Sequence, residues 1–190
     1  MKTVWKPGTM LYPIPAVMVS CGSTPEDYNI ITIAWTGTIC TDPAMCYISV
    51  RPERHSYKII KQTGEYVINL TTSKLAAITD WCGVKSGASV NKFEETGLTP
   101  VAATKVKAPL ILESPVNIEC VVKDIKELGT HHMFISEVLA INADESLIDK
   151  KTGLFRLNDS TPLCYSHGGY YEIGEFIGKF GFSVRKKKNK

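Results

Sequence analysis

Several patterns that would assign a sequence to a common functional class are absent from these 190 residues. No apolar run approaches the ~20 residues needed to cross a bilayer, so we expect no membrane association. No apolar segment with a cleavage site follows the first residues, which disfavours a signal peptide. There is no Gly-x-x-x-x-Gly-Lys-Ser/Thr element and no Gly-x-Gly-x-x-Gly after a strand. P-loop and Rossmann cofactor sites are therefore disfavoured as well.

The cysteines do not have the spacing of a disulfide framework. They are far apart and include no Cys-x-x-Cys pair; they stand at positions 21, 40, 46, 82, 120 and 164. Without a secretion signal, such cysteines are typical of reduced and mostly buried small side chains. We therefore expect a cytoplasmic protein.

Charge is also unevenly distributed. Five of the 22 basic residues lie in the last six positions, and without them 17 basic residues face 19 acidic ones. The net charge of +3 thus belongs to a tail, residues 185–190, which is typical of a solvated chain end. No basic residues interleaved with aromatics cover a folded face, so we expect no nucleic-acid binding. The remaining residues, 1–184, are predicted to form a single domain.

Most of the chain has the pattern of β-strands. Short runs rich in β-branched and aromatic residues are bounded by turn clusters; they cover residues 16–21, 29–35, 45–50, 65–70, 116–122 and 132–141. Partial alternation gives the last two one face for the core and one for solvent. This spacing predicts an antiparallel barrel or sandwich, a mostly β fold.

Two segments have a helical pattern instead. Ser56 is a candidate N-cap for a short helix that ends at Gly64, and Ser73 is one for a helix over 74–82 that ends at Gly83. Residues 84–100 lack a regular pattern and are predicted to be a functional loop. The C-terminal third is rich in Gly and Tyr and is predicted to be loop with one strand.

The segment 51–57, Arg-Pro-Glu-Arg-His-Ser-Tyr, is the first candidate binding element. It lies between a predicted strand and a predicted helix, and helix N-termini offer unpaired N–H groups and the positive end of a dipole. Arginine adds a bidentate fork and serine a hydroxyl donor, so the segment suits a phosphate monoester. The alternative is a solvated loop in which the arginines pair with carboxylates such as Glu53.

A second loop has similar chemistry. Lys85, Ser86, Gly87, Ser89 and Lys92 are residues expected around an anionic ligand, with glycine allowing close backbone approach. Two such loops in one small β-rich domain indicate a single phosphorylated cofactor. An ordinary lysine-bearing surface loop is the alternative.

The order of these segments resembles the flavin reductase-like family, flavoredoxin type. The resemblance begins with residues 29–35, the pair Asp42-Pro43 and residues 48–57. It continues through 64–70, 86–87, 92–93, 97–98 and 137–138 to 177–182. It implies an FMN-binding split β-barrel, mostly β with short helices, that forms a homodimer with the flavin near the subunit interface.

The resemblance also implies positions for the cofactor. The strand residues beside the isoalloxazine would be Thr32, Ile33, Ala34, Trp35 and Thr36. The ribityl chain would follow Ser49, Val50 and Arg51. The phosphate would be held by Arg54, Ser56 and Tyr57. Lys85, Ser86 and Lys92 would close over the phosphate or the ribityl end, either from the same subunit or from its neighbour. For Trp35 an ordinary core position is the alternative.

The histidines carry less information. His131 follows Gly129-Thr130, where related reductases have a turn with an acid, and it is a candidate for contacting the nicotinamide or accepting a proton. A plain turn histidine is the alternative. His167 is a candidate lining residue of the flavin pocket. His131 and His132 point to opposite faces of a strand, so we expect no metal between them.

The chemistry then follows from the cofactor. We expect reducing equivalents to pass from NADH or NADPH through FMN to an acceptor, which is free flavin, an iron centre or a partner redox protein. One alternative is a non-enzymatic FMN electron carrier, and another is a ligand-binding or structural dimer without turnover. An oxidase of the pyridoxamine-phosphate type uses a related barrel but is less well matched by residues 51–57. Fold alone does not choose among these reactions.

Overall fold

The computed structural model describes residues 1–184, and its strands far outnumber its helices. The strands are β1 Ile14–Pro15, β2 Val17–Cys21, β3 Asn29–Ile33, β4 Thr36–Cys40, β5 Met45–Val50, β6 Glu65–Leu70, β7 Pro100–Val101, β8 Leu110–Ile111, β9 Val116–Leu128, β10 His131–Ala143, β11 Leu163–Ser166 and β12 Gly169–Glu172. The α-helices are α1 His55–Thr63, α2 Ala76–Val84 and α3 Lys92–Thr96. The predicted basic tail, 185–190, lies outside the described residues.

One antiparallel sheet of seven strands dominates the molecule. Its order is β3-β2-β6-β9-β10-β5-β4, so β3 and β4 are its two edges. The sheet curls around a core in which the side chains of Val19, Ile48, Tyr66 and Phe134 are fully buried. The mostly β class, with short helices and a curled half-barrel sheet, is confirmed.

Several predicted boundaries differ from the structure. The first helix has Arg54, not Ser56, at its N-cap position, because Ser56 is already inside the first turn. Strand β3 ends at Ile33, two residues early, and the chain turns there through a Thr36 N–H to Ala34 carbonyl bond of 3.1 Å. The predicted loop 84–100 contains α3, whose first turn is capped by the Asn91 side chain.

The two long strands β9 and β10 extend beyond their predicted limits. They form a hairpin whose tight turn includes Gly129, in the left-handed region at φ 63°. Their pairing register shifts twice, between Ile135 and Ser136 and between Val138 and Ala140. Such bulges bend a strand pair and increase its twist, which helps this sheet to curl.

A buried carboxylate anchors the chain that crosses over β9. Glu119 is fully buried and accepts hydrogen bonds from the backbone N–H groups of Thr104 at 2.9 Å, Lys105 at 2.5 Å and Val106 at 3.2 Å. The Asn142 amide donates a fourth, at 2.7 Å. Burial by itself raises the pKa of Glu119, but these hydrogen bonds outweigh it and hold the pKa below its ordinary value.

A small second sheet joins the two ends of the chain. It has the order β1-β11-β12, with Ile14 opposite Tyr165 and Cys164 opposite Tyr171. The chain after β10 therefore contains two strands, where one was predicted. A backbone bond of 3.0 Å from Leu163 N–H to the Thr71 carbonyl links this sheet to the end of β6. Within residues 1–184, no helix is long and apolar enough to cross a membrane.

Candidate functional site

Two neighbouring cavities lie beside the β3 edge of the large sheet. The larger has a volume of about 540 Å³ and the smaller about 140 Å³, and both are lined by Ile31, Glu53 and Arg54. The other residues of the larger cavity are Ala16, Thr32, Ile33, Ala34, Trp35, Ser49, Val50, Arg51, Asp80, Gly83, Val84, His131, Tyr165, Gly168 and Tyr170. The other residues of the smaller cavity are Asn29, His55, Ser56, Lys85, Ser86, Gly87 and Lys92.

The β3 edge presents backbone polar groups to the larger cavity. β3 pairs with β2 on one side only, and on the other side the Ile30 carbonyl accepts a bond of 2.7 Å from Lys92 Nζ. In an antiparallel strand the backbone groups of alternate residues point to the same side, so those of Thr32 also point away from β2. The strand therefore offers both a donor and an acceptor to a planar heterocycle in the cavity.

The start of α1 forms the wall between the cavities. Arg54 occupies the N-cap position, no side chain caps the helix, and no acidic residue lies in the first turn. The Tyr57 N–H donates to the Arg54 carbonyl at 3.0 Å. The N–H groups of His55 and Ser56 are left for an external acceptor, at the positive end of the helix dipole. The Arg54 guanidinium also donates to the Gly83 carbonyl at the end of α2. Arg54 thus fixes two helix ends against each other.

Ser56 lies inside the smaller cavity and is almost fully buried. Its hydroxyl oxygen accepts a bond of 2.7 Å from the Asn29 amide, so its hydrogen can be donated to a ligand oxygen. Gly87 lies against Asn29, and an added Cβ there would overlap the Asn29 amide. The loop after α2 can approach this closely only because position 87 is glycine.

Lys92 is the buried cation of the smaller cavity. Its side chain is 3% exposed, and its ammonium donates to the carbonyls of Ile30 at 2.7 Å and Cys82 at 2.6 Å. Burial lowers the pKa of Lys92 to about 8, against an opposing contribution from Cys82, and the charge of Arg54 lowers it further. Lys85 and Ser86 line the same cavity from its exposed side.

Ser49, Val50 and Arg51 bring the end of β5 into the larger cavity. The Ser49 N–H donates to the Trp35 carbonyl at 2.8 Å, which extends the pairing of β5 with β4 by one residue. Arg51 forms an ion pair of 2.7 Å with Glu53, as the solvated-loop alternative expected. Both side chains are more than half exposed, so this pair contributes little to stability and leaves Arg51 able to change partner.

Trp35 and His131 lie side by side in the larger cavity. Their ring centroids are 6.3 Å apart and their planes differ by 19°. The pKa of His131 is lowered by burial and by the charge of Arg51, with Glu53 opposing. His131 is therefore mainly neutral at neutral pH and can accept a hydrogen bond there.

Three predicted site residues lie outside the lining of both cavities. Tyr57 packs its ring on Phe134 and shares a hydrogen bond of 2.8 Å between its hydroxyl and His132 Nδ1. The Thr36 hydroxyl donates to the Tyr47 carbonyl at 2.6 Å. His167 has a positive φ of 47° and its ring lies 5.0 Å from that of Tyr12, whereas the following Gly168 reaches the cavity.

The wall that the sequence did not indicate comes from α2 and the small sheet. Asp80 accepts a bond of 3.2 Å from the Tyr170 hydroxyl, and both line the larger cavity together with Tyr165. Burial and Asp80 raise the pKa of Tyr170 to about 12, so this phenol stays protonated. The only sequence signal for this wall is the aromatic and Gly-rich composition of residues 165–171.

No group of three or more His, Cys, Asp or Glu side chains that could hold a metal ion is found among residues 1–184. The six cysteines are free thiols. The donors that the two cavities do contain are backbone groups, hydroxyls and cations. This set suits an organic ligand that carries an anionic end.

Comparison with protein families identifies one match, the flavin reductase like domain, over residues 9–174. An uncharacterized protein of Pyrococcus abyssi is 34% identical over 140 residues, which cover 74% of this chain and 80% of that protein.

Two solved structures have the same fold. The flavoredoxin of Desulfovibrio vulgaris (Miyazaki F) aligns with a TM-score of 0.89 and 30% identity, over 97% of this chain and all of the other. An FMN-binding protein from Thermus thermophilus, solved with bound 1-cyclohex-2-enone, aligns with a TM-score of 0.79 and 19% identity, over 94% of this chain and 99% of the other. The arrangement of strands around the two cavities is thus shared well beyond close relatives.

Proposed function

We propose, since the chain belongs to the flavin reductase like domain family, that it binds FMN and passes reducing equivalents from NADH or NADPH to an acceptor. One observation carries the proposal. A small cavity with a buried cation and an open helix N-terminus shares lining residues with a larger cavity, which lies along the unpaired edge of β3. A phosphate and a flat heterocycle are the two parts of FMN, and these cavities suit them in that order.

The donor set fits the phosphate end. Arg54, Ser56 and Lys92 offer a guanidinium, a hydroxyl and an ammonium around a volume of about 140 Å³, which has room for a phosphate group. The N–H groups at the start of α1 add further donors. We place Lys85 and Ser86 over the exposed side of the same group.

The fit extends to the ring end. Thr32, Ile33, Ala34 and Trp35 line one side of the larger cavity, with outward backbone groups at Thr32. Ser49, Val50 and Arg51 line the same cavity, and we place the ribityl chain along them. Of the other predicted residues, Thr36, Tyr57 and His167 act at most indirectly. Tyr57, for instance, supports the start of α1 through His132.

FMN, when bound, accepts a hydride and releases electrons in one or two steps, and the protein supplies binding and orientation. With FMN bound, the edge of β3 would orient the ring through the outward backbone groups of Thr32. Neutral His131, next to Trp35, is placed to contact the nicotinamide of a hydride donor. No side-chain nucleophile is needed for this chemistry.

The visible spectrum of the FMN-loaded protein under anaerobic conditions tests this function. We expect the flavin absorbance to bleach within the mixing time of an excess of NADH or NADPH, and to return when air is admitted. Dithionite serves as the control that shows the flavin to be reducible. A flavin that dithionite bleaches and both nicotinamides leave unchanged would favour the electron carrier over the reductase.

A pH dependence of FMN binding follows from Lys92. A phosphate prefers the charged form of this residue, whose pKa of about 8 is low before the ligand binds. Affinity for FMN should therefore be highest below pH 8 and fall as the pH rises through 8, by up to tenfold per pH unit. Fluorescence titration between pH 6.5 and 9.5 measures this.

The control for that titration is riboflavin, which has no phosphate and should show no such fall. Lys92→Met should remove the fall for FMN, and Lys85→Met, in the exposed part of the same cavity, should keep it. An FMN affinity that stays constant from pH 7 to 9.5 would exclude Lys92 from the phosphate site.

We further propose a cytoplasmic homodimer in which residues 1–184 form one domain. The support for an interface is the apolar C-terminal segment, where Ile173, Phe176, Ile177 and Phe180 are each more than half exposed. Monomeric proteins rarely expose so many large apolar side chains in one segment. A redox partner protein is one of the acceptors that this assembly could serve.

A further inference from the structure

A third cavity shares Trp35 with the larger cavity but is not lined by His131. Its volume is about 510 Å³, and it is enclosed by the N-terminal segment 8–12 together with Ile14, Ala34, Trp35 and Tyr47. Ala34 and Trp35 line the proposed flavin cavity as well. The two spaces therefore meet at this dipeptide.

The chemistry of this third cavity differs from that of its neighbour. None of its lining residues, all within the described part of the chain, has a charged side chain. The flavin cavity, by contrast, is lined by Arg51, Glu53, Arg54 and Asp80. A dinucleotide or a ferric chelate would bring charge for which this lining offers no charged partner. The cavity thus selects an uncharged ligand.

Aromatic side chains make up much of its wall. Tyr12, Trp35 and Tyr47 line it, and flat rings favour offset-stacked or edge-to-face contacts with one another. The two phenols can in addition donate to a carbonyl oxygen. Tyr47 lies close against β4 because position 37 is glycine: a Cβ there would come within 3.2 Å of the Tyr47 ring.

We propose that this cavity binds a neutral bicyclic quinone as the electron acceptor, an assignment that rests on the proposed function. A planar ring with carbonyl oxygens and no charge matches the aromatic walls, the phenol donors and the volume. In balance, NAD(P)H gives up a hydride and becomes NAD(P)⁺. The quinone gains that hydride's two electrons and one proton, takes a second proton from solvent, and leaves as the hydroquinone. Electrons enter from the flavin cavity across Ala34 and Trp35.

Ligand binding can be measured separately from electron transfer. The probe is 1-tetralone, a neutral bicyclic aromatic ketone that is not a reversible electron acceptor, titrated into ¹⁵N-labelled protein with and without FMN. We expect saturable shifts of the Trp35 indole N–H and the Ala34 amide signals, with Trp35→Phe identifying the indole. The proposal would be overturned if 1-tetralone shifted other signals but not those of Trp35 and Ala34. It would also be overturned if no signal shifted because a second copy of the chain covers the cavity.

Two substitutions on one exposed segment provide a matched pair. Leu11 lines the cavity and Val4 does not, and both are almost fully exposed. Neither substitution removes a buried contact. Leu11→Asp introduces a charge into the cavity and should weaken 1-tetralone binding at least tenfold, whereas Val4→Asp should change it less than twofold. Equal effects of the two would contradict a site at this position.

Electron transfer completes the test. FMN-loaded protein reduced with dithionite, with excess reductant removed, is mixed anaerobically with menadione or with ferricyanide. Leu11→Asp should slow reoxidation by menadione at least tenfold and leave reoxidation by anionic ferricyanide within twofold of wild type. A uniform effect on both acceptors would overturn the acceptor assignment. Failure of the proposed function would be seen earlier, as protein that retains no flavin absorbance when unbound FMN is removed by gel filtration.

Discussion

FMN binding should weaken by a few kcal/mol when Arg54 and Ser56 are both replaced by alanine. Hydrogen bonds to a charged group are worth about 1.5–3 kcal/mol each, so the dissociation constant should rise on the order of a hundredfold to ten-thousandfold. The guanidinium stands at the uncapped start of α1, and the buried hydroxyl faces the same small cavity. Equilibrium dialysis or fluorescence titration measures the change.

The structure also predicts how this loss should divide between the two residues. Arg54→Ala alone removes the charge and the bond to the Gly83 carbonyl, so it should cost more than Ser56→Ala. Ser56→Ala leaves the charge in place and removes the acceptor of the Asn29 amide. Arg54→Lys should recover only part of the affinity, because an ammonium lacks the planar fork.

Lys58→Ala is the matched control, since Lys58 is an exposed cation on the same helix and lines neither cavity. Riboflavin is the control ligand, because it has no phosphate and Arg54 and Ser56 should not contribute to its binding. If the double variant lost affinity for riboflavin as much as for FMN, or kept its affinity for FMN, the phosphate would lie elsewhere.

Glu119→Ala should lower the free energy of unfolding by about 3–5 kcal/mol, a large part of the total of a typical domain. The substitution removes the acceptor of three backbone N–H groups and of the Asn142 amide. Thr104 and Lys105 are exposed and can turn to water, but Val106 is buried, and a buried unpaired donor costs about 1–3 kcal/mol. Urea denaturation followed by circular dichroism gives the difference. Glu127→Ala, at a strongly exposed position on the same strand, should change stability by less than 0.5 kcal/mol, an order-of-magnitude figure for surface sites.

The contribution of Glu119 should also depend on pH. Its pKa in the folded protein lies below the ordinary value, so folding favours the ionised form. The stabilisation is fully present above the unfolded-state pKa and is lost as the pH falls through the folded-state pKa. The stability difference between wild type and Glu119→Gln should therefore shrink in acid. A difference that grows below pH 4 would show that the carboxylate is not held ionised.

The main strands and the phosphate-binding segment, residues 51–57, were predictable from sequence because their signals are local. β-branched runs bounded by turns marked the main strands, and basic and hydroxylated residues marked both loops around the smaller cavity. Arg54 and Lys92 could be predicted as site residues because each is a cation in a segment that also contains hydroxyl side chains. The predicted N-cap was two residues too late, since Ser56 resembles an N-cap although it lies inside the first turn.

The rest of the site depends on contacts that no local pattern encodes. Asp80 lies on a helix that the sequence predicts without indicating which face meets the cavity. Tyr170 comes from a strand that pairs with β11, and through it with β1, some 150 residues away in the chain. The exact end of β3 could not be predicted either. Trp35, which the sequence assigns to this strand, instead accepts a hydrogen bond from Ser49 next to the β4–β5 pairing.

The small sheet of β1, β11 and β12 should control how fast a bound molecule leaves the larger cavity. Its hairpin, β11 and β12, supplies Tyr165, Gly168 and Tyr170 to one wall of the larger cavity but takes no part in the seven-stranded sheet. Local opening generally requires less free energy than global unfolding, above all at short peripheral elements. The dwell time of a molecule in that cavity should thus follow the opening rate of this hairpin, which hydrogen–deuterium exchange at β11 and β12 would report, while the barrel beneath stays closed.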